Sequence, residues 1–237
     1  MQLFYAPDMD PASGRYALSE EESRHCVRVL RLAPGDSLYL TDGRGTLCRA
    51  EVTDVASRRC IVEFRECTEG FGRRDWYLHV AVAPTKNMDR LEWFVEKATE
   101  IGIDRITPVV CDRSERRTVK TDRLKRVATG AVKQSLKAYH PIIDEAVPLR
   151  ELVAAPFDGD SFLAHCEEGL PRRSLKGCLL PGRRSRILIG PEGDFSPEEI
   201  ALASRSGFVA VSLGESRLRT ETAALAAVHS VAFVNEK

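Results

Sequence analysis

The chain has 237 residues, of which 43% are hydrophobic and 30% charged, and its 35 basic and 35 acidic side chains give a formal net charge of zero. This length suffices for one large domain or two modest ones, and the neutral balance does not by itself indicate a nucleic-acid partner. No apolar run reaches membrane-spanning length, and the N-terminus lacks the basic start and apolar core of a signal peptide. We therefore expect a globular, cytoplasmic protein that does not enter a membrane.

Residues 1–70 are predicted to be mostly β-structure. A capping box at Ser19 predicts a brief helix that runs toward Val27. Alternating segments at residues 2–5, 16–18, 37–41, 46–54 and 60–66 predict short strands, with core candidates at Val52, Ile61, Val62 and Phe64. Several short strands at such close spacing favour a small β-barrel.

After a glycine-rich linker at residues 69–72, the chain alternates between strands and helices, which is typical of α/β domains. Strands are predicted at residues 76–83, 106–110, 161–166, 187–189 and 208–213. Helices are predicted at residues 88–101, from 121 or 122 to about 138, after Ser196, and at 221–234 with Thr220 as the cap, while 141–156 is expected to be irregular. The sequence thus predicts two domains, residues 1–70 and 73–237.

The seven cysteines are an odd number, and no two of them are spaced C-x-x-C. Several lie among apolar residues in strand-like segments, which favours free thiols in a reducing compartment. The five histidines share no ligand-like spacing with the cysteines, so we expect no metal site.

Two stretches of the chain are locally basic despite the neutral total. Residues 113–137 carry many arginines and lysines, and residues 172–186 form a second basic cluster. Most basic runs are simply solvated surfaces, but two beside a candidate pocket also fit a phosphate-bearing partner. Composition leaves both interpretations open.

The candidate pocket is predicted from two glycine loops. Residues 186–193 form an apolar run that ends in Gly190-Pro191-Glu192-Gly193, and residues 213–225 repeat this arrangement from Leu213-Gly214. The first loop matches neither the P-loop nor the dinucleotide-binding pattern, and alone it could be a plain strand-to-helix turn. Ligands of open α/β sheets bind beyond the carboxyl ends of the strands, so two such loops in succession indicate one shared pocket.

The second loop contains a charge pattern that capping does not explain. Thr220 and Glu221 suit the start of a helix as a cap and a first-turn acid, but Arg217 and Arg219 place cations where the helix dipole disfavours them. An anionic partner, such as RNA phosphate or a carboxylate, would compensate for them.

Both loops together resemble the paired signatures of the ribosomal RNA small-subunit methyltransferase E family, which belongs to the SPOUT superfamily. The resemblance rests on Ile189-Gly190-Pro191-Glu192-Gly193, on Leu213-Gly214 and on Leu218-Arg219-Thr220-Glu221-Thr222-Ala223. It extends to residues 96–102, Arg113-Ser114, Gln134-Ser135 and Pro141, and to His25, residues 29–31, Gly35-Asp36 and Asp42-Gly43 in the N-terminal region. Asp194 and Glu215-Ser216 depart from the usual family pattern.

The resemblance implies a trefoil-knotted, mostly parallel α/β domain preceded by a PUA-like, RNA-binding β-barrel. It also implies a homodimer whose active sites use both chains, and S-adenosylmethionine as the methyl donor. The implied reaction is methylation of N3 of a specific uridine in 16S ribosomal RNA, either free or within the small ribosomal subunit.

The resemblance and the local chemistry together suggest roles for individual residues. The loops expected to hold S-adenosylmethionine contain Ile189, Gly190, Pro191, Gly193, Leu213, Gly214, Leu218 and Thr220. Arg219 is the candidate for stabilising a uracil anion or holding phosphate, with Glu221 as the first candidate base and Glu192 as the second. Glu221 fits equally well as a helix-dipole acid. The candidate RNA contacts are Arg31, Arg113, Arg116, Arg117, Arg126 and Lys133.

Two other classes of function remain open at this point. A non-catalytic RNA-binding or ribosome-associated protein would use only the barrel and the basic helix, and would not bind S-adenosylmethionine. A phosphate-binding enzyme of small metabolites would use the glycine loops as anion sites, and would be indifferent to RNA.

Overall fold

The computed structural model describes residues 2–56 and 59–236. The chain forms two compact units, one from residues up to Arg73 together with Val132–His140, the other from Arg74–Ala131 and the residues from Pro141 onward. The sequence places residues 132–140 in the second domain. In the structure they belong to the first unit, because the carbonyl oxygen of Ala138 accepts hydrogen bonds from Thr41 Oγ1 (3.1 Å) and from the amide of Gly45 (2.8 Å).

The first unit is built on a five-stranded sheet. Its strands are β1 (Leu3–Tyr5), β2 (Arg15–Ala17), β3 (Ser37–Thr41), β4 (Leu47–Ala56) and β5 (Arg59–Thr68), in the order β1-β3-β4-β5-β2. β1 and β3 are parallel and the other pairs antiparallel. Helix α1 (Glu20–Arg24) follows β2, and its axis continues through a π-helical turn at His25–Val29. Of the predicted core residues, Val52 and Val62 are buried and Ile61 and Phe64 are half-buried.

Two of the cysteines differ from the prediction of free thiols. Cys48 on β4 and Cys67 on β5 occupy directly opposed positions in the sheet, which brings their Cα atoms to 4.1 Å, and they form a disulfide. Cys26, Cys60, Cys111, Cys166 and Cys178 are free, as expected. The pairing depends on the strand register, which the spacing of cysteines along the chain does not reveal.

The second unit is an α/β domain on a parallel sheet. Its strands are β6 (Tyr77–Val82), β7 (Arg105–Val110), β8 (Ile142–Ile143), β9 (Val147–Pro148), β10 (Asp160–Ala164), β11 (Arg173–Ser174), β12 (Arg184–Ile189) and β13 (Val209–Ser212). The order is β11-β13-β10-β12-β6-β7-β8, with β9 beside β7, and every pair is parallel. Central strands such as β6 and β12 are almost wholly buried, as parallel strands covered on both faces should be.

The helices that begin in this unit are α2 (Met88–Ile101), α3 (Thr121–Gln134), α4 (Leu149–Ala154), α5 (Leu175–Cys178), α6 (Pro197–Arg205) and α7 (Thr220–Val234). Helix α2 begins and ends where the sequence predicts, between the Asn87 cap and Gly102. Helix α6 begins after Ser196, as predicted, and Ser196 and Glu199 form a capping box there. Residues 141–156 are not irregular as expected, because they contain β8, β9 and α4. Among the described residues, no helix is long and apolar enough to cross a membrane.

Candidate active site

The two glycine loops meet through a buried hydrogen bond. Thr220 Oγ1 donates to the carbonyl oxygen of Gly190 at 3.1 Å. The prediction that Thr220 caps α7 is wrong, because Arg219 occupies the cap position with extended backbone and Thr220 is the first helical residue. Its hydroxyl is therefore directed at the loop after β12, and the start of α7 is tied to the end of that strand.

A cavity of about 290 Å³ lies beside this contact, at the carboxyl ends of β10 and β12. Its position is the one expected for a ligand site in an open α/β sheet. Its wall is part apolar and part polar, and consists of Ala164, Cys166, Ile189, Gly190, Pro191, Glu192, Asp194, Arg217, Leu218, Arg219, Thr220 and Ala223.

Most of the predicted cofactor residues therefore come together, since Ile189, Gly190, Pro191, Leu218 and Thr220 all line the cavity. Gly193, Leu213 and Gly214 lie in the same loops but are not part of the wall. Their positions are set by local packing: a Cβ at Gly193 would come within 3.3 Å of the Cβ of Arg113. Gly214 has φ +129°, and the hydroxyl of Ser212 bonds to both its amide and its carbonyl.

Asp194 forms hydrogen bonds that link two segments lining the cavity, a role that the sequence does not predict. Its Oδ2 accepts a hydrogen bond from the amide of Cys166 at 2.7 Å, and its Oδ1 accepts from the amide of Phe195 at 2.9 Å. Its φ of +60° lies in the left-handed region, where glycine or a short polar residue is favoured. Asp194, which departs from the usual family pattern, is thus compatible with the turn and adds a link between the end of β10 and the loop after β12.

The candidate carboxylates lie in different surroundings. Glu192 is exposed at the cavity wall, and its Oε1 accepts a hydrogen bond from the amide of Lys86 at 3.0 Å. Glu221 is buried and is not part of the wall. Its Oε1 lies 3.8 Å from Nε of Arg90 on α2, and its Oε2 has no hydrogen-bond partner among residues 2–56 and 59–236. The structure therefore brings Glu192 and Arg219, but not Glu221, to the cavity.

Three predicted RNA-contact arginines on the loop after β7 bind backbone carbonyls nearby. Arg113 donates to the carbonyl of Gly193 at 3.0 Å, and Arg117 donates to that of Asp112 at 3.1 Å. Arg116 donates twice, through Nε (3.3 Å) and Nη2 (3.0 Å), to the carbonyl of Lys86. Both backbone groups of Lys86 are consequently hydrogen-bonded, the amide to Glu192 and the carbonyl to Arg116.

The other residues predicted to contact RNA differ in whether their charged groups are exposed or paired with a carboxylate. Arg31 and Arg126 are exposed, and Arg31 has φ +55°. Lys133, in contrast, is largely buried, and its Nζ lies 2.7 and 3.0 Å from the two carboxylate oxygens of Glu22. Within the described residues, no group of three or more His, Cys, Asp or Glu side chains could hold a metal ion.

Comparison with known proteins shows what the chain is similar to. The sequence model of an RNA methyltransferase domain matches residues 74–232, and that of an RNA methyltransferase PUA domain matches residues 18–65. The ribosomal RNA small subunit methyltransferase E of Mycobacterium bovis is 30% identical over 99% of this chain and 92% of its own length. The chain belongs to the ribosomal RNA small-subunit methyltransferase E family.

Solved structures of similar proteins cover the whole length of the chain. A probable rRNA methyltransferase of Porphyromonas gingivalis is 39% identical, with a TM-score of 0.91 over 99% of this chain and 98% of that one. The methyltransferase E of Neisseria gonorrhoeae bound to S-adenosylmethionine is 26% identical, with a TM-score of 0.84 over 99% and 98%. The predicted family and the predicted α/β fold with a PUA-like domain are confirmed.

Proposed function

We propose that this protein transfers a methyl group from S-adenosylmethionine to N3 of a specific uridine in 16S ribosomal RNA. The observation that carries the proposal is the Thr220–Gly190 hydrogen bond, which joins the two family signature loops around one cavity. The residues present fit the methyl donor, because Ile189 and Leu218 offer apolar surface to an adenosyl group while Glu192 and Asp194 supply negative charge suited to a sulfonium. When bound, S-adenosylmethionine supplies an electrophilic methyl group, and the protein positions the partners.

The nucleophile requires help from the chain, because uracil N3 is a weakly acidic imide and reacts poorly while it carries its proton. Arg219 lines the cavity and is exposed, so its guanidinium can stabilise negative charge that develops between the two uracil carbonyls. Of the two candidate bases, the geometry favours Glu192, which lines the cavity. Glu221 is buried beside Arg90, where it acts on the orientation of α2 and α7.

The RNA is proposed to contact basic side chains, of which Arg116 is half-buried and the others are exposed. Arg31, Arg113, Arg116, Arg117 and Arg126 would bind phosphates, which gives salt-dependent affinity without choice of sequence. The backbone hydrogen bonds of Arg113, Arg116 and Arg117 leave further N–H groups on each guanidinium, so an anchored arginine can still meet a phosphate. The target base must leave its stack or be unpaired to enter the cavity.

The remaining family properties are proposed for this chain as a whole: a trefoil knot around the glycine loops, a homodimer, cytoplasmic location, and domains at residues 1–70 and 73–237, the second without residues 132–140. The homodimer is supported by α7, which is apolar over most of its surface and leaves Phe233 65% exposed. Apolar side chains on such a helix favour burial against a second chain.

The proposal is tested first by calorimetric titration of the protein with S-adenosylmethionine. Binding is expected, and its absence would favour a non-catalytic RNA-binding protein. The second test is mass spectrometry of nucleosides from 16S ribosomal RNA of cells that lack the gene, before and after the gene is restored. We expect 3-methyluridine to be lost and then to return, and restoration of the Arg219→Ala variant should return much less.

A further inference from the structure

A second and larger cavity, of about 630 Å³, lies in the α/β unit where β6, β7 and β12 begin. Because the strands are parallel, this is the opposite edge of the sheet from the candidate active site. Of the stretch 186–193 only its first residue, Arg186, lines this cavity, and none of the predicted site residues contributes to it. Its volume is within the range of small-molecule sites, roughly 300–1,000 Å³.

A chain of hydrogen bonds fixes the proton on one histidine of this cavity. Thr107 Oγ1 donates to Asp144, whose carboxylate is also held by Arg105 through Nε (2.7 Å) and Nη2 (2.9 Å). A threonine hydroxyl has one proton, so toward His79 Nε2, 2.7 Å away, Thr107 must be the acceptor. His79 therefore carries its proton on Nε2, and its Nδ1 forms no hydrogen bond within the described part of the chain. Burial lowers the pKa of His79 to about 4, which keeps the ring neutral.

Two arginines supply donors to the same cavity without carboxylate partners. Arg186 is buried and uses Nη1 to hold the carbonyls of Leu152 and Ala155, each at 3.1 Å, while Nη2 forms no hydrogen bond among the described residues. Arg184 is exposed, and its Nε donates to the carbonyl of Asp158 at 3.0 Å. No ion pair of either guanidinium occurs in the described ranges.

Aromatic rings form the remaining wall. The ring of Phe157 lies 6.3 Å from that of Tyr77 and 6.4 Å from that of His79, between centroids. The Arg184 guanidinium lies 4.2 Å from the Tyr77 ring centroid, and the Arg186 guanidinium lies 5.0 Å from that of Phe157. The rings are tilted to one another, and together with the guanidinium planes they present flat surfaces, which suit a planar ligand.

The acids of the cavity exclude one alternative. Asp144, Glu145, Glu151 and Asp158 line the cavity together with Arg105, Arg184 and Arg186, so the wall carries no excess of positive charge. A site for a bare phosphate or a polyphosphate would need an excess of cations. The cavity instead combines flat surfaces and guanidinium donors with one hydrogen-bond acceptor, the neutral ring nitrogen Nδ1 of His79.

We propose that this cavity binds a nucleobase with neighbouring N–H and C=O groups, such as uracil or guanine. The base N–H donates to His79 Nδ1, a base carbonyl accepts from Arg184, and the ring packs against Phe157 and Tyr77. The base comes either from a free nucleoside or from single-stranded RNA. The site is independent of the proposed methyl transfer, because it shares no residue with that cavity.

The test uses the full chain saturated with S-adenosylhomocysteine, which occupies the first cavity. Uridine, guanosine and a short single-stranded oligoribonucleotide containing both bases are added separately, and binding is measured from NMR shifts of residues that line the second cavity. The Arg184→Gln variant removes a proposed donor. The Arg183→Gln variant is the matched control, because Arg183 is the adjacent exposed arginine and does not line the cavity.

We expect Arg184→Gln to weaken binding at least about fivefold, the effect of losing one hydrogen bond to a charged group, and Arg183→Gln to leave it unchanged. Binding of the free nucleosides identifies a small-molecule site, and binding of the oligoribonucleotide alone identifies an RNA subsite. A His79→Phe variant, which keeps a ring but removes the acceptor, should also weaken binding. The proposal is overturned if no probe shifts these residues, or if Arg184→Gln and Arg183→Gln bind equally well.

Discussion

The hydroxyl of Thr220 and the carbonyl of Gly190 form a buried 3.1 Å hydrogen bond that joins the two loops of the candidate active site. The Thr220→Val variant keeps the side-chain shape but leaves the carbonyl without this donor, which costs about 1–3 kcal/mol. We expect affinity for S-adenosylmethionine to fall about tenfold, as measured by calorimetry. Thr222→Val is the control, because Thr222 is exposed on the same helix turn and should bind normally.

The positions of Glu192 and Glu221 predict different methyl-transfer rates for their variants. Glu192 lines the cavity, so Glu192→Gln should lower the single-turnover rate by about 10²- to 10⁴-fold. Glu221 is buried beside Arg90 and does not line the cavity, so Glu221→Gln should change the rate much less. Single-turnover rates at saturating S-adenosylmethionine and RNA test this, and the opposite pattern would restore Glu221 as the base.

Salt dependence distinguishes residues that touch RNA from those that do not. If Arg117 and Arg126 each neutralise one phosphate, the slope of log K against log salt should become shallower by about 0.7–0.9 for each when it is replaced by alanine. Filter binding at several salt concentrations measures the slope. Affinity for S-adenosylmethionine should not change, and an unchanged slope in both variants would remove this surface from the RNA interface.

Lys133 should behave differently from Arg126, although both lie on α3. Its ammonium is held by both oxygens of Glu22, with only 27% of the side chain exposed. The Lys133→Met variant leaves that carboxylate unpaired, so we expect the free energy of unfolding to fall by about 1–3 kcal/mol in urea. The slope of log K against log salt for RNA binding should not change. Arg126→Met should instead make that slope shallower and leave the free energy of unfolding unchanged.

His79 makes stability depend on pH. Its folded pKa of about 4 lies below the usual value of 6.5, because burial and the neighbouring Arg105 and Arg186 disfavour its charge more than Asp144 favours it. Between those values the unfolded chain binds a proton that the folded chain does not. The contribution of His79 to the free energy of unfolding is therefore fully present above pH 6.5. It is lost as the pH falls toward 4, by up to about 3 kcal/mol. Urea titrations should show a smaller fall between pH 6.5 and 4 for His79→Gln.

The sequence predicts best those elements whose signals are local. Asn87, Gly102 and the apolar spacing of Leu91, Phe94, Val95 and Ala98 define α2 without reference to the rest of the fold. The two-residue strands β8 and β9 have no periodicity to detect, and they exist only because β7 lies beside them. Helix α3 stops short of the predicted end, where Leu136 takes a positive φ of 56°.

The candidate site likewise contains some residues that a local motif locates and others whose roles depend on contacts with distant parts of the chain. The glycine loops locate Gly190 and Leu218, since the motif itself marks where backbone must approach a ligand. The roles of Asp194 and Cys166 depend on a contact across 28 positions, and those of Arg113 and Arg116 depend on distant carbonyls. Counting basic residues identifies a charged segment, but it does not show which backbone acceptor each guanidinium binds.

The hydrogen bonds at Lys86 have a thermodynamic consequence for catalysis. With its amide bound by Glu192 and its carbonyl bound by Arg116, one residue links the loops that follow β6, β7 and β12. The conformational entropy of these three loops is lost when the domain folds, and little of it remains to be lost when a ligand arrives. The site is thus preorganised, and binding energy from the substrates remains available for bringing the methyl group and the base into line.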